Sequence, residues 1–186
     1  RSDVRALYAR ILIRKGESEK GAEILESLLG SESNSVLHEL LGYLAQTEQW
    51  EKASNVISSY DLQELGNTAL EQAYRIYSHV ESVNKEYEVA QQLYSRKPEN
   101  PNYILLLLKT SFRRENRDRD TITSLTEEGL RVAETREQRS MLYYYQSMYS
   151  PRRDERIRLL QQSLFENLKN IDALISISRA YKESED

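Results

Sequence analysis

The stretch LLGYLAQTEQWEKASNVI, residues 40–57, carries two helical stripes with a short polar break between them. Leu37, Leu40, Leu41 and Leu44 recur at spacings of three and four, so they share one side of a helix. Trp50, Ala53, Val56, Ile57 and Tyr60 form a second, shorter stripe of the same kind. The segment therefore reads as a helical hairpin.

The same pattern runs outward in both directions. Val4, Leu7, Tyr8, Ile11 and Leu12 give an apolar stripe, as do Ala73, Ile76, Tyr77, Val80 and Val83. Leu174, Ile177, Ala180 and Tyr181 give another near the end of the chain. The breaks carry helix punctuation. Gly16 is placed to end the first helix. Asn100-Pro101 and Ser150-Pro151 each read as an N-cap followed by proline at the first helical position. Thr68 with Glu71, and Thr135 with Gln138, have capping-box spacing. The chain is expected to form about eleven helices, without strands.

These helices pair into similar units. QWEKASNVI (49–57) aligns with EYEVAQQLY (86–94), placing Trp50 on Tyr87 and Ala53 on Ala90. Gly21, Thr121 and Arg156 take the small-residue slot in the other pairs. These anchors recur about every 34 residues, the period of a known helical-hairpin repeat.

On these residues the chain resembles the tetratricopeptide repeat (TPR) family over essentially its whole length. Residues 40–57 carry the likeness most fully: Leu41-Gly42 on the first helix, the aromatic Trp50 opening the second, and the small Ala53 at the crossing. The Gly-Asp turn of the family appears only loosely, as KGES, and its junction proline appears only around Pro98 and Pro101. The resemblance implies an all-α superhelix of about five and a half hairpins in a single repeat domain. The expected repeats are 2–32, 34–62, 67–98, 101–133 and 136–168, with a half repeat over 170–186. Such hairpins cannot bury both faces of the first helix alone, and stacking the next hairpin completes the burial. The last stripe then covers the fifth pair, as a cap helix or, as we favour, as the first half of a sixth hairpin. The chain opens on Arg1 rather than Met and is expected to be a piece of a longer one.

Composition narrows the function classes. Only six Gly and three Pro accompany 30% charged residues, which suits helices better than strands and their turns. There is no cysteine, so disulfides, thiolate catalysis and cysteine metal sites are excluded. A net charge of −4 argues against a general nucleic-acid binder, which needs clustered positive charge. The longest apolar run, ILLLL at 104–108, is too short to span a bilayer. His38 and His79 are isolated from each other and from any partner at metal or general-base spacing. No phosphate loop, HExxH or GxSxG occurs. Neither an enzyme nor a cofactor is expected. The compartment stays open, with a soluble, cytoplasmic protein favoured and any targeting segment upstream of Arg1.

Two further features stand out. Thirteen tyrosines mostly lie on the stripes, as Tyr8, Tyr77, Tyr94, Tyr145 and Tyr181 do. In MLYYYQSMYS (141–150), however, consecutive residues turn by about 100° and cannot share a face. If Met141, Tyr145 and Met148 face the core, Tyr143 faces away, as a binding residue or a half-covered aromatic. The runs RRENRDR (113–119) and PRRDERIR (151–158) fall near hairpin turns. They would form a positive edge for acidic segments or phosphate, or pair locally with Glu115, Asp118, Asp120, Asp154 and Glu155.

The resemblance also implies a concave groove lined by first helices. Its residues here would include Arg10, Arg14, Glu39, Tyr43, Tyr74, Ser78, Tyr103, Leu106, Thr110, Arg113, Arg114, Arg139, Gln146 and Tyr149, with Tyr143 as a further candidate. Arg10 stands where the family's carboxylate clamp wants asparagine, so a chaperone-tail binder is not expected. The primary expectation is a non-enzymatic scaffold that binds a partner protein or peptide, one with acidic segments included, in that groove. A structural spacer that self-associates through the C-terminal half repeat is the alternative. An RNA-binding helical repeat ranks third, against the net charge.

Overall fold

A computed structural model describes residues 2–29, 34–114 and 118–182. Eleven helices make up the secondary structure of these residues, with no strand among them. They are α1 (Ser2–Arg14), α2 (Ser18–Ser27), α3 (Asn34–Gln46), α4 (Trp50–Ser58), α5 (Asn67–His79), α6 (Val83–Arg96), α7 (Pro101–Arg113), α8 (Arg119–Val132), α9 (Arg136–Tyr149), α10 (Arg153–Glu166) and α11 (Ile171–Lys182). The chain divides into two compact units, 1–93 and 94–186. The architecture is all-α and TPR-like.

Within each unit the packing follows hairpin logic. Second helices pack on the next first helix: α2 on α3 and α4 on α5 in unit 1, α8 on α9 and α10 on α11 in unit 2. First helices also touch one another, α3 with α5 and α7 with α9. Every stripe leucine of α3 is buried, as are Ala53 and Ile57 of α4, so this hairpin buries the faces that residues 40–57 suggest.

Three turns in unit 1 share one geometry. Gly16, Glu48 and Glu81 all have positive φ, at 89°, 57° and 54°. In each turn the next amide reaches back five residues: Glu17 N to Leu12 O at 3.0 Å, Gln49 N to Leu44 O at 2.8 Å, and Ser82 N to Tyr77 O at 2.9 Å. These are left-handed helix ends that satisfy otherwise orphaned carbonyls. Glycine at 16 adopts this conformation without strain, whereas the glutamates do so against the clash of their own Cβ.

The turns correct the sequence register. Gly21 and Ala53 each lie five residues past a left-handed residue, and the third such position is Glu86, not Ala90. The alignment of Tyr87 with Trp50 is one helical turn out, because α6 starts at Val83. Ala90 instead matches Ile57, and both are fully buried. In unit 2 the slot residue is Ile122, buried, while Thr121 beside it is exposed.

Gly21 marks a tight crossing. A Cβ there would stand 2.6 Å from Ile13 Cγ1 and 2.7 Å from the Ala9 carbonyl oxygen of α1. Just after the turn of the next hairpin, Trp50 stacks on His79 with ring centroids 3.8 Å apart and planes 6° from parallel.

The end helices depart from expectation. α1 buries Ala6, Ala9 and Leu12, whereas Val4, Leu7, Tyr8 and Ile11 are 42 to 64% exposed. Three of the four equivalent positions of α3, Val36, Leu40 and Tyr43, are buried in the helix on which α2 packs, and the fourth, Glu39, is half-buried. Among the described residues no helix covers that face of α1. On α11 the buried edge is Ala173 and Ala180 with Ile177 beside them, and Leu174 and Tyr181 lie on its exposed flank.

Helix starts fall partly where expected. Asn100 accepts from Asn102 N at 3.0 Å with Pro101 at the first helical position. Thr135 and Gln138 form a complete capping box. Ser150, by contrast, closes α9, and α10 starts beyond Pro151 at Arg153. Thr68 lies inside α5, which starts at Asn67 after Gly66, so it caps nothing.

Unit 2 contains a buried polar knot that no sequence pattern announces. Ser140 of α9 and Ser163 of α10 donate to each other's carbonyl oxygens at 2.8 and 2.7 Å. Asn170 donates to both hydroxyls at 2.9 and 3.1 Å and accepts from Ala173 N at 3.1 Å. It thereby caps α11 and ties it to the α9–α10 hairpin. Arg153 adds two bonds to the Ala180 carbonyl, at 3.0 and 2.8 Å.

Candidate functional site

The first helices of unit 1 bring expected groove residues together. Arg10, Ile13 and Arg14 of α1 and Glu39, Tyr43 and Gln46 of α3 line one recess. A second recess lies between α3 and α5, lined by Gly42, Ala45, Gln46, Gln72 and Arg75. Gln46 belongs to both, so the two recesses form one wall across three helices.

The charges on this wall are unevenly committed. Arg10 Nε pairs with the Glu39 carboxylate at 2.6 Å, and both side chains are partly covered. Among the described residues, the exposed Arg14 and Arg75 carry no side-chain hydrogen bond or ion pair. His38 Nδ1 and Gln72 Oε1 are 2.8 Å apart. With His38 as the donor, the Gln72 carbonyl is occupied and its NH2 is left for the recess. Gly42 lies beside it: a Cβ there would be in ordinary contact with Gln72 Nε2, at 3.4 Å. His38 is therefore a positioning residue for an amide, and His79 is the stacking partner of Trp50.

Other expected groove residues are turned inward. Tyr74, Tyr103 and Thr110 are buried, and the Thr110 hydroxyl bonds the Leu106 and Leu107 carbonyls of its own helix. Their exposed neighbours are Arg75, Asn102 and Lys109, because a shift of one residue rotates a helix by about 100°. Ser78 and Leu106 are half-buried. Gln46, Gln72 and Arg75 were not among the expected residues. The signal that could have found them is the turn geometry at Glu48 and Glu81, which fixes the rotation of α3 and α5.

In unit 2 the candidates are more tied down. Arg139 and Arg136 both reach Glu166, at 3.4 and 3.2 Å. Tyr149 packs edge-on against Phe112 with centroids 4.8 Å apart, and Phe112 stacks on Tyr145 at 5.0 Å. Burial pushes the Tyr145 hydroxyl, and to a lesser degree Tyr144, above the ordinary tyrosine range, with the Asp172 charge adding to both. Tyr143 and Gln146 are half-buried, and Met148 is exposed rather than in the core. Arg113 is exposed and Arg114 half-exposed at the end of α7, while Glu115 and Arg117 lie outside the described residues. Asp118 is committed to capping α8, where hydrogen bonds from Thr121 hold its carboxyl below the usual range. Arg153 is likewise committed, to Ala180.

Among the described residues no group of three or more His, Asp or Glu side chains is placed to hold a metal ion, and no helix is long and apolar enough to cross a membrane.

No family model matches the sequence, and no curated protein matches it. Solved structures do match the fold. A tetratricopeptide repeat protein from Parabacteroides merdae aligns with a TM-score of 0.65 at 14% identity, over 97% of this chain and 72% of that one. The MamA RS-1 ArsTM double mutant aligns with a TM-score of 0.60 at 12% identity, over 100% of this chain and 97% of its own. At such identities the likeness concerns the fold: this chain has a TPR-like helical repeat architecture.

Proposed function

We propose that the protein is a non-enzymatic scaffold that holds another polypeptide against the α1–α3–α5 wall of unit 1. The supporting observation is the pair of adjoining recesses that share Gln46. Their lining mixes arginine, tyrosine and amide side chains on rigid helices. Arginine is enriched at interaction hot spots. An extended segment laid across three first helices would cross both recesses.

Random peptides displayed on phage and selected on the 186-residue chain test this reading. Selected peptides should lose binding when Gln46→Trp fills the shared part of the wall. They should be indifferent to Glu88→Trp on the exposed side of α6. Selected peptides that ignore Gln46→Trp would place the binding surface elsewhere.

A second reading is self-association through the C-terminal half repeat. Phe165, Leu168 and Ile171 favour it, being 68 to 77% exposed around the α10–α11 junction. Sedimentation velocity tests it: a single monomeric species at high concentration argues against stacking there.

A further inference from the structure

We infer that the α1–α3–α5 wall selects an acidic segment, taken by Arg14 and Arg75, while Glu39 acts as an internal competitor for Arg10. This inference rests on the wall being the binding surface. Its basis is the sign of the groups left over once internal partners are counted. Arg14 and Arg75 have no internal partner among the described residues. With its carbonyl on His38, Gln72 presents only N–H groups. Gln46, which lines both recesses, can donate or accept, but among the described residues the only uncommitted charges on the wall are the two cationic guanidinium groups, on a chain whose net charge is −4. Unpaired guanidinium groups suit a ligand that brings carboxylates.

The placement argues for a stretch of separate charges. Arg14 lies in one recess and Arg75 in the next, on helices with α3 between them. A single compact anion would engage one arginine; side chains spaced along an extended peptide would reach both. A nucleic acid strand also carries spaced charge. It binds best where aromatic faces are open for stacking. The one aromatic residue lining these recesses, Tyr43, is only 9% exposed.

Glu39 already makes the contact that a ligand carboxylate would make. It occupies Arg10 Nε at 2.6 Å and brings a negative charge to the first recess. A bound acidic residue must work against that charge and share or displace that pair. Glu39 thus lowers the affinity of the wall for acidic segments and sets a threshold on how acidic a segment must be.

Fluorescence anisotropy on the full chain tests this with four probes. They are an acetylated, amidated peptide of Glu and Asp interspersed with Ser, its Gln/Asn counterpart, the same Gln/Asn peptide with a free C-terminal carboxylate, and oligouridylate. The acidic peptide should bind about ten-fold more tightly than its amide counterpart. The margin should shrink as salt rises from roughly 50 to 500 mM. Arg14→Gln with Arg75→Gln should remove that margin. Glu39→Gln should tighten acidic binding by about three-fold. Equal binding of the acidic and amide peptides, tighter binding of the free-carboxylate peptide or oligouridylate, or weaker acidic binding by Glu39→Gln would overturn the inference. If peptides selected on the chain still bind at Gln46 without regard to charge, acidic selection fails and the scaffold reading stands. If none binds there, both fail.

Discussion

Single residues set how closely the hairpins approach and how they turn. Gly21 faces the backbone of α1, where an added Cβ would stand 2.7 Å from a carbonyl oxygen that cannot rotate away. Gly21→Ala should therefore destabilise unit 1 by about 1–3 kcal/mol, through overpacking. Glu48 has the opposite problem: its φ of 57° suits a residue without a Cβ. Glu48→Gly should leave stability unchanged or raise it by up to about 1 kcal/mol, since relief of strain is partly offset by a more flexible unfolded chain. Urea denaturation of the two variants checks both signs. A stabilising Gly21→Ala, or a Glu48→Gly that loses more than about 1 kcal/mol, would contradict this account of the turns and crossings.

At the scale of elements, α11 depends on polar bonds more than on apolar cover, since only Ala173 and Ala180 of its side chains are buried. Asn170 links it to α9 and α10 and caps its first turn. Asn170→Ala removes the cap and both serine contacts, and should cost about 2–4 kcal/mol. Hydrogen exchange should show amides 174–182 losing protection before the rest of unit 2. Uniform loss across the unit would mean that α11 is not held separately. The aromatic stack of α7 and α9 predicts a pH effect. Tyr144 and Tyr145 have hydroxyls raised above the unfolded value, so their contribution is complete below about pH 10. It is lost as pH rises beyond that point, because the unfolded chain ionises first. The melting temperature should fall with pH in that window, and fall less steeply in Tyr145→Phe. An equal slope in the variant would remove Tyr145 from the explanation.

For the molecule as a whole, repeat architecture is legible because helical periodicity and hairpin spacing survive heavy sequence variation. Stripes such as Leu37, Leu40, Leu41 and Leu44 depend only on that periodicity, and all four are buried. Rotation of each helix is harder to read. Tyr74 and Arg75 are neighbours in sequence, yet one is buried and the other lines a recess. The turns that fix this rotation use Glu48 and Glu81, which carry no glycine signal. The end helices mislead for a different reason: an apolar stripe is buried only where a neighbour covers it, and Val4, Leu7 and Tyr8 lie on a face of α1 that no described helix covers. The Asn170 knot joins generic polar residues 23 and 30 positions apart, which no local pattern reveals. Four of the wall residues, Arg10, Arg14, Glu39 and Tyr43, were legible from the register of the first helices; Gln46, Gln72 and Arg75 needed the turns.

The most direct measurement of the proposed role is amide chemical-shift mapping of the full chain titrated with a phage-selected peptide. Shifts concentrated at residues 10–14, 39–46 and 72–75 are the predicted result. Shifts confined to α2 and α4 or to the α10–α11 end, or none at saturating peptide, would contradict it.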